Sequence, residues 1–182
     1  MGGDGLALHY VCTWEEAREI ASRHPDFWVS NCGCREARGG CSRSRMDVCL
    51  QFCGETAASG SEMRKIAWPE VEGILREARE THLVTRPFRH QTDRTVTEGI
   101  CFCCDDCCGY FLDPQLNCDK GKRIEKTDLS ACNNCAACTE VCHFNARSLE
   151  GGRLTIARER CYGCGLCVPT CSLECIEMVL RG

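Results

Sequence analysis

The feature that most constrains this chain is a cysteine pattern that occurs twice between residues 132 and 171. The first copy is Cys132-x2-Cys135-x2-Cys138-x3-Cys142 and the second is Cys161-x2-Cys164-x2-Cys167-x3-Cys171. Thiolate sulfur is a soft ligand, and four thiolates complete the outer coordination of one four-iron cubane. Three cysteines in a C-x2-C-x2-C run wrap a loop around one cluster, while the fourth, at the start of a helix, reaches the other. The spacing therefore assigns Cys132, Cys135, Cys138 and Cys171 to cluster 1, and Cys161, Cys164, Cys167 and Cys142 to cluster 2. Zinc needs only four ligands and does not call for a third C-x2-C step. A disulfide framework is equally ill served by cysteines spaced this closely in series.

Twenty-one cysteines in 182 residues mean either a secreted disulfide scaffold or a metal protein. The first residues, Met-Gly-Gly-Asp-Gly, show neither a basic region nor an apolar run, and no stretch approaches the length of a membrane span. A reducing cytoplasm, that of an anaerobe, is the expectation. Large aliphatic and aromatic residues are sparse, which predicts that metal rather than a sizeable apolar core holds the fold. The formal charge of −4 counts every cysteine as neutral. Two cubanes with their thiolates bring it to about −8, which suits docking on basic patches of a partner. No basic stripe with interleaved aromatics is present, so nucleic acid is not an expected partner.

The length suits two small units. We read an α+β chain with a cysteine-rich α+β unit over 1–119, a linker over 120–127 and a two-cluster module over 128–182. Residues 1–11 read as a loose glycine-bearing lead. Thr13-Trp-Glu-Glu16 is a capping box that opens a helix running to about Arg23. A short strand follows at Phe27–Ser30, and residues 55–63 read as a polar connection. Pro69 starts a second helix whose Val71, Ile74, Leu75 and Ala78 recur at helical spacing. His82 would cap the end of that helix. Strands are expected at Leu83–Phe88 and Thr95–Phe102, a Gly151-Gly152 hairpin at Ser148–Ile156, and a closing strand at Ile176–Leu180 that pairs near Ile124–Asp128. Cys12 and Cys175 read as packed thiols.

Two further cysteine groups flank the second helix. One is Cys32, Cys34, Cys41, Cys49 and Cys53; the other is Cys101, Cys103, Cys104, Cys107, Cys108 and Cys118. In extended backbone Cys32 and Cys34 share a face, whereas Cys103 and Cys104, and likewise Cys107 and Cys108, diverge. Adjacent cysteines that diverge suit a segment lying between two metal sites. The expectation is a third [4Fe–4S] cluster on Cys32, Cys34, Cys41 and Cys49, and a fourth on Cys101, Cys104, Cys107 and Cys108; a zinc site with packed thiols is the alternative. Arg35, Arg38, Arg43 and Arg45 either offset cluster charge or form a solvated basic loop.

Residues from about 124 to 180 resemble the bacterial-type dicluster ferredoxins through the eight-cysteine pattern. The resemblance implies a pseudo-twofold αβ fold, two neighbouring [4Fe–4S] clusters and one-electron transfer at low potential. His143 and Ser172 stand where that family has proline; His143 either tunes a cluster with pH or replaces proline at a helix start. The elements Cys32-Gly-Cys34-Arg35 and Ile100-Cys-Phe-Cys103-Cys104 are similar to cysteine-rich extensions of ferredoxin-like proteins of anaerobic bacteria and archaea. Cys107-Cys108-Gly109 resembles the CCG motif of heterodisulfide-reductase-type subunits, without its upstream spacing or closing C-x2-C. No acid–base pair, phosphate loop or dinucleotide fingerprint is present. The chain reads as a non-catalytic electron-transfer subunit, in a stable complex with a larger redox enzyme or flavoprotein. The alternatives are a catalytic N-terminal cluster, reducing a disulfide or a partner's cofactor, and a zinc-tethered adaptor.

Overall fold

The structure, a computed structural model, describes residues 5–54, 60–113 and 115–182. The first four residues of the lead and residues 55–59 of the polar connection lie outside the described residues. Helices and sheets are mixed in an α+β arrangement, and no helix among the described residues is long and apolar enough to cross a membrane.

The N-terminal unit comprises α1 (Trp14–Ser22), β1 (Phe27–Ser30), α2 (Gly33–Arg38), β2 (Cys49–Gln51), β3 (Arg64–Ile66), α3 (Trp68–Glu80), β4 (Val84–Arg89), β5 (Thr97–Cys103) and α4 (Gly109–Leu112). Its sheet runs β3-β1-β2-β5-β4, with every neighbouring pair antiparallel. The capping box at α1 is present: Thr13 Oγ1 accepts the Glu16 N–H at 3.3 Å, and Glu16 accepts the Thr13 N–H at 2.9 Å. Pro69 sits in the first turn of α3, and Val71, Ile74, Leu75 and Ala78 are its buried face. Each large aliphatic on that face contributes about 1.5–3 kcal/mol by leaving water. Trp14 Nε1 donates to the Leu75 carbonyl at 2.7 Å, locking α1 to α3. Gly99 lies where a Cβ would strike the Leu50 carbonyl and the Phe88 ring, so β2 and β4 close on β5 only around glycine.

The expectation of a thin core is overturned in this unit. Eighteen buried residues from α1, α3 and the sheet form one apolar cluster, because the chain's few large hydrophobics are concentrated here. The lead is not loose throughout either: Tyr10 N–H bonds to the Pro87 carbonyl, Val11 N–H to the Asp119 carbonyl, and Val11 is wholly buried. Strands β2 and β3 carry no alternating pattern long enough to announce them, and pair because the sheet supplies the partners.

The C-terminal module holds β6 (Arg123–Thr127), α5 (Ala137–Glu140), β7 (Arg147–Glu150), β8 (Arg153–Ile156), a 3-10 turn at Arg158–Arg160, α6 (Cys167–Thr170) and β9 (Ile176–Leu180). Strand β6 pairs antiparallel with β9, and β7 with β8 through Gly151 and Gly152, both at positive φ. Most of the stretch read as a linker is thus β6. Cys142 and Cys171 follow α5 and α6 and lead into turns rather than starting helices. The buried cluster of this module is only Cys138, Leu154, Cys167 and Ile176. A further cluster joins the two units, with Val11, Val84, Cys103 and Cys108 from one and Val141 and Leu166 from the other. His143 lies in a turn of the same junction, its Nε2 2.8 Å from the His82 carbonyl and its Nδ1 3.3 Å from the Asp105 carboxylate. The His82 main chain, in the left-handed region at φ 54, makes that contact instead of a ring capping α3.

Candidate metal centres

Two small cavities of matched size, each ≈ 20 Å³, lie in the C-terminal module. The first is lined by Cys132, Cys135, Cys138 and Cys171, with Cys175, Leu154 and Ile176. The second is lined by Cys161, Cys164, Cys167 and Cys142, with Val141, Phe144 and Met178. In each, three thiols come from one motif and one from the other. Main-chain amides point at the sulfurs: Asn134 N–H at Cys132 Sγ (3.4 Å) and Ala146 N–H at Cys142 Sγ (3.3 Å). Such donors favour the thiolate over the thiol. Burial pushes the other way, raising Cys164 strongly and Cys167 to about 12, so neutral thiols are favoured there unless a cation binds. Soft, converging donors with apolar walls and amide N–H groups fit an iron–sulfur cluster in each cavity. Cys175, read as packed, has its Sγ 3.4 Å from Cys171 and lines the first cavity as a fifth thiol.

Between the cavities lies a residue that the cysteine pattern does not announce. Arg147 donates to Cys138 Sγ at 3.4 Å and to the Glu125 carboxylate at 2.6 Å, with both charged side chains buried. Glu125 also accepts from Arg158 Nε at 3.3 Å. A guanidinium fixed beside a thiolate site offsets its negative charge.

The N-terminal thiols are grouped otherwise than their order along the chain suggests. Cys41 Sγ lies 3.5 Å from Cys104 Sγ, and Cys104 Sγ lies 3.6 Å from Cys107 Sγ. Cys34 lies near Cys32 and Cys108, and Cys108 near Cys103. Cys49 pairs with Cys101 at 3.9 Å, and Cys101 is 3.8 Å from His9 Nε2. Each group therefore draws on both cysteine-rich segments, and neither expected N-terminal quartet is gathered around one point. Neighbours diverge as expected, although Cys107 and Cys108 lie in the turn after β5 rather than in a strand: Cys104 and Cys107 face one group, Cys103 and Cys108 the other. Cys34 does not share a face with Cys32 through extended backbone, because Cys34 is in the first turn of α2. Cys53 makes no thiol contact among the described residues. Cys118 Sγ lies against the Asp119 carbonyl at 3.6 Å, and burial raises its thiol to about 11.

Two buried arginines flank these groups. Arg35, of the four arginines in the basic loop, is wholly buried, whereas Arg38, Arg43 and Arg45 are exposed. Arg86 donates to Cys108 Sγ at 3.8 Å and stacks on Tyr110 and Phe111, 4.2 and 5.2 Å from their centroids. The Nε of each of these buried arginines has no partner among the described residues. His9 joins them: burial, then the Arg86 charge, hold it down to about 4, and its Nδ1 meets the Tyr110 hydroxyl at 2.7 Å. Arg35 is one of the four arginines that the sequence offered either to offset cluster charge or as a solvated loop; Arg86 and His9 carry no spacing signal, and only folding reveals them. From Arg86 the aromatic contacts run Phe111–Phe144 (5.1 Å) to Phe144–Tyr162 (4.4 Å, stacked), next to Cys161 at the second cavity.

The chain is 34% identical over 70 residues to the electron transport protein HydN of Escherichia coli strain K12. The proteins of the same name from E. coli O6:H1 and O157:H7 match equally. The match covers 37% of this chain and 39% of HydN, so the chain spans about two-fifths of the length of the curated relatives it matches. No family model and no solved structure matches the chain.

Proposed function

We propose that this protein transfers single electrons, with a bacterial-ferredoxin-like C-terminal module that binds two [4Fe–4S] clusters. Cys132, Cys135, Cys138 and Cys171 hold one, and Cys161, Cys164, Cys167 and Cys142 the other. The observation that carries this reading is the pair of matched cavities, each walled by three thiols of one repeat and one of the other. The partial similarity to an electron transport protein supports it. Bound there, each cluster supplies reversible one-electron chemistry, and the chain supplies its surroundings.

Those surroundings act in three ways. The amide groups of Asn134 and Ala146 stabilise charge on the sulfurs they face. Arg147 places a fixed positive charge beside Cys138, which favours the more reduced state. Leu154, Ile176, Val141 and Phe144 keep water from the walls. Phe111, Phe144 and Tyr162 pack against one another at the junction that holds Cys103 and Cys108. The partner is a larger redox enzyme or flavoprotein with a basic docking face. Anaerobic purification, an iron and labile-sulfide count and a reductive titration test the reading. About eight irons reducible in one-electron steps are expected; colourless protein without labile sulfide would sink it.

A further inference from the structure

We propose that Cys41, Cys104 and Cys107 hold one mononuclear divalent metal ion of the zinc class through three thiolates. This goes beyond the electron-transfer reading and does not depend on it. Tetrahedral zinc at 2.3 Å from each sulfur holds its sulfurs about 3.8 Å apart. The separations here are 3.5 Å for Cys41–Cys104 and 3.6 Å for Cys104–Cys107, and all three sulfurs lie within 4.8 Å of one another. A cubane inserts its own inorganic core between the thiolates and holds them further apart than this.

The backbone is prepared for thiolates at this point. Cys104-Asp-Asp-Cys107 is a C-x2-C turn that brings the amides of Asp106 and Cys107 near Cys104 Sγ. Cys41 Sγ accepts the Arg43 amide at 3.4 Å and is also faced by that of Ser44. The two segments are clasped beside the site, where Ser42 N–H donates to Asp106 at 2.9 Å and Arg43 pairs with Asp105 at 2.9 Å.

A second observation points the same way. Arg35 is wholly buried, donates to the carbonyls of Arg45 (2.6 Å) and Phe102 (3.0 Å) and touches Cys107. Its Nε has no partner, and no carboxylate pairs with it among the described residues. A buried guanidinium without a counter-ion is strongly destabilising. Three thiolates around a divalent ion carry a net charge of about −1, which compensates it. No further Cys, His, Asp or Glu ligand atom lies within the same radius among the described residues. The fourth position therefore lies on the side of Cys41, the one residue of the three that is not buried, and takes water.

The test uses the full chain purified without oxygen, as wild type, as Cys41→Ser and Cys104→Ser, and as the control Cys53→Ser. About one zinc per chain is expected in wild type and in the control, lost in Cys41→Ser and Cys104→Ser with iron unchanged. Zinc K-edge absorption should show three sulfurs and one lighter atom. Should Cys104→Ser fail to fold, replacing the wild-type metal with cobalt(II) reads the site directly, through its thiolate charge-transfer and tetrahedral bands. Loss of iron with labile sulfide in Cys41→Ser overturns the proposal in favour of a cluster. Wild-type protein that holds no zinc and gives no cobalt spectrum also overturns it. Because zinc and iron are counted separately, an iron-free protein that keeps its zinc refutes only the electron-transfer reading.

Discussion

The two halves of this molecule treat their cysteines in opposite ways. In the C-terminal module the thiols line two small cavities, and the buried cluster beside them has only four members, two of which are themselves cysteines. In the N-terminal unit the thiols touch one another, and they lie against an apolar core of eighteen buried residues. One half uses cysteine in place of a core; the other builds cysteines, Cys104 and Cys107 among them, into a core made mostly of other residues. Cysteine count alone cannot distinguish these uses, since what separates them is whether apolar surface remains to be buried without the metal.

The contrast can be attacked most severely at the C-terminal sites. Cys164→Ala should remove about half of the iron and labile sulfide and drop electron throughput to background, leaving the N-terminal metal in place. Unchanged reduction of the partner would count against the whole reading. Next, iron chelation under oxygen should melt the C-terminal module alone. Hydrogen exchange should then show protection surviving in α3, β4 and β5, and loss of both halves together would erase the contrast. Arg147→Met leaves the buried Glu125 with only the exposed Arg158 as a cationic partner and should cost about 3 kcal/mol in thermal melts of the holoprotein. Adding Glu125→Gln should recover part of that loss. The smallest effect belongs to Thr13→Ala, which removes half of the α1 capping box. It should lower N-terminal stability by about 1 kcal/mol and leave the iron content untouched.

Local signals were legible wherever one short stretch carries the whole instruction. The capping box at Thr13, the helical stripe Val71-Ile74-Leu75-Ala78, the Gly151-Gly152 hairpin and the divergence of Cys103 from Cys104 all follow from backbone geometry within a few residues. Strands β2 and β3 escaped because they are three residues long and owe their form to partners far along the chain. Arg35 looked like its solvated neighbours in the basic loop. Its burial comes from α2, a helix of six residues that turns it inward toward the Phe102 carbonyl.

By itself, then, the sequence determined the chemistry on offer: soft donors, their doubled C-terminal spacing, and the helices and hairpin that local rules dictate. Only the tertiary structure decided which N-terminal thiols share a site, because Cys41 and Cys104 are sixty-three residues apart and meet only when the two segments fold against each other. It also decided which arginines are buried beside sulfur, and how much space is left between the sulfurs. Those are properties of packing, and packing is a relation among distant residues that no local pattern encodes.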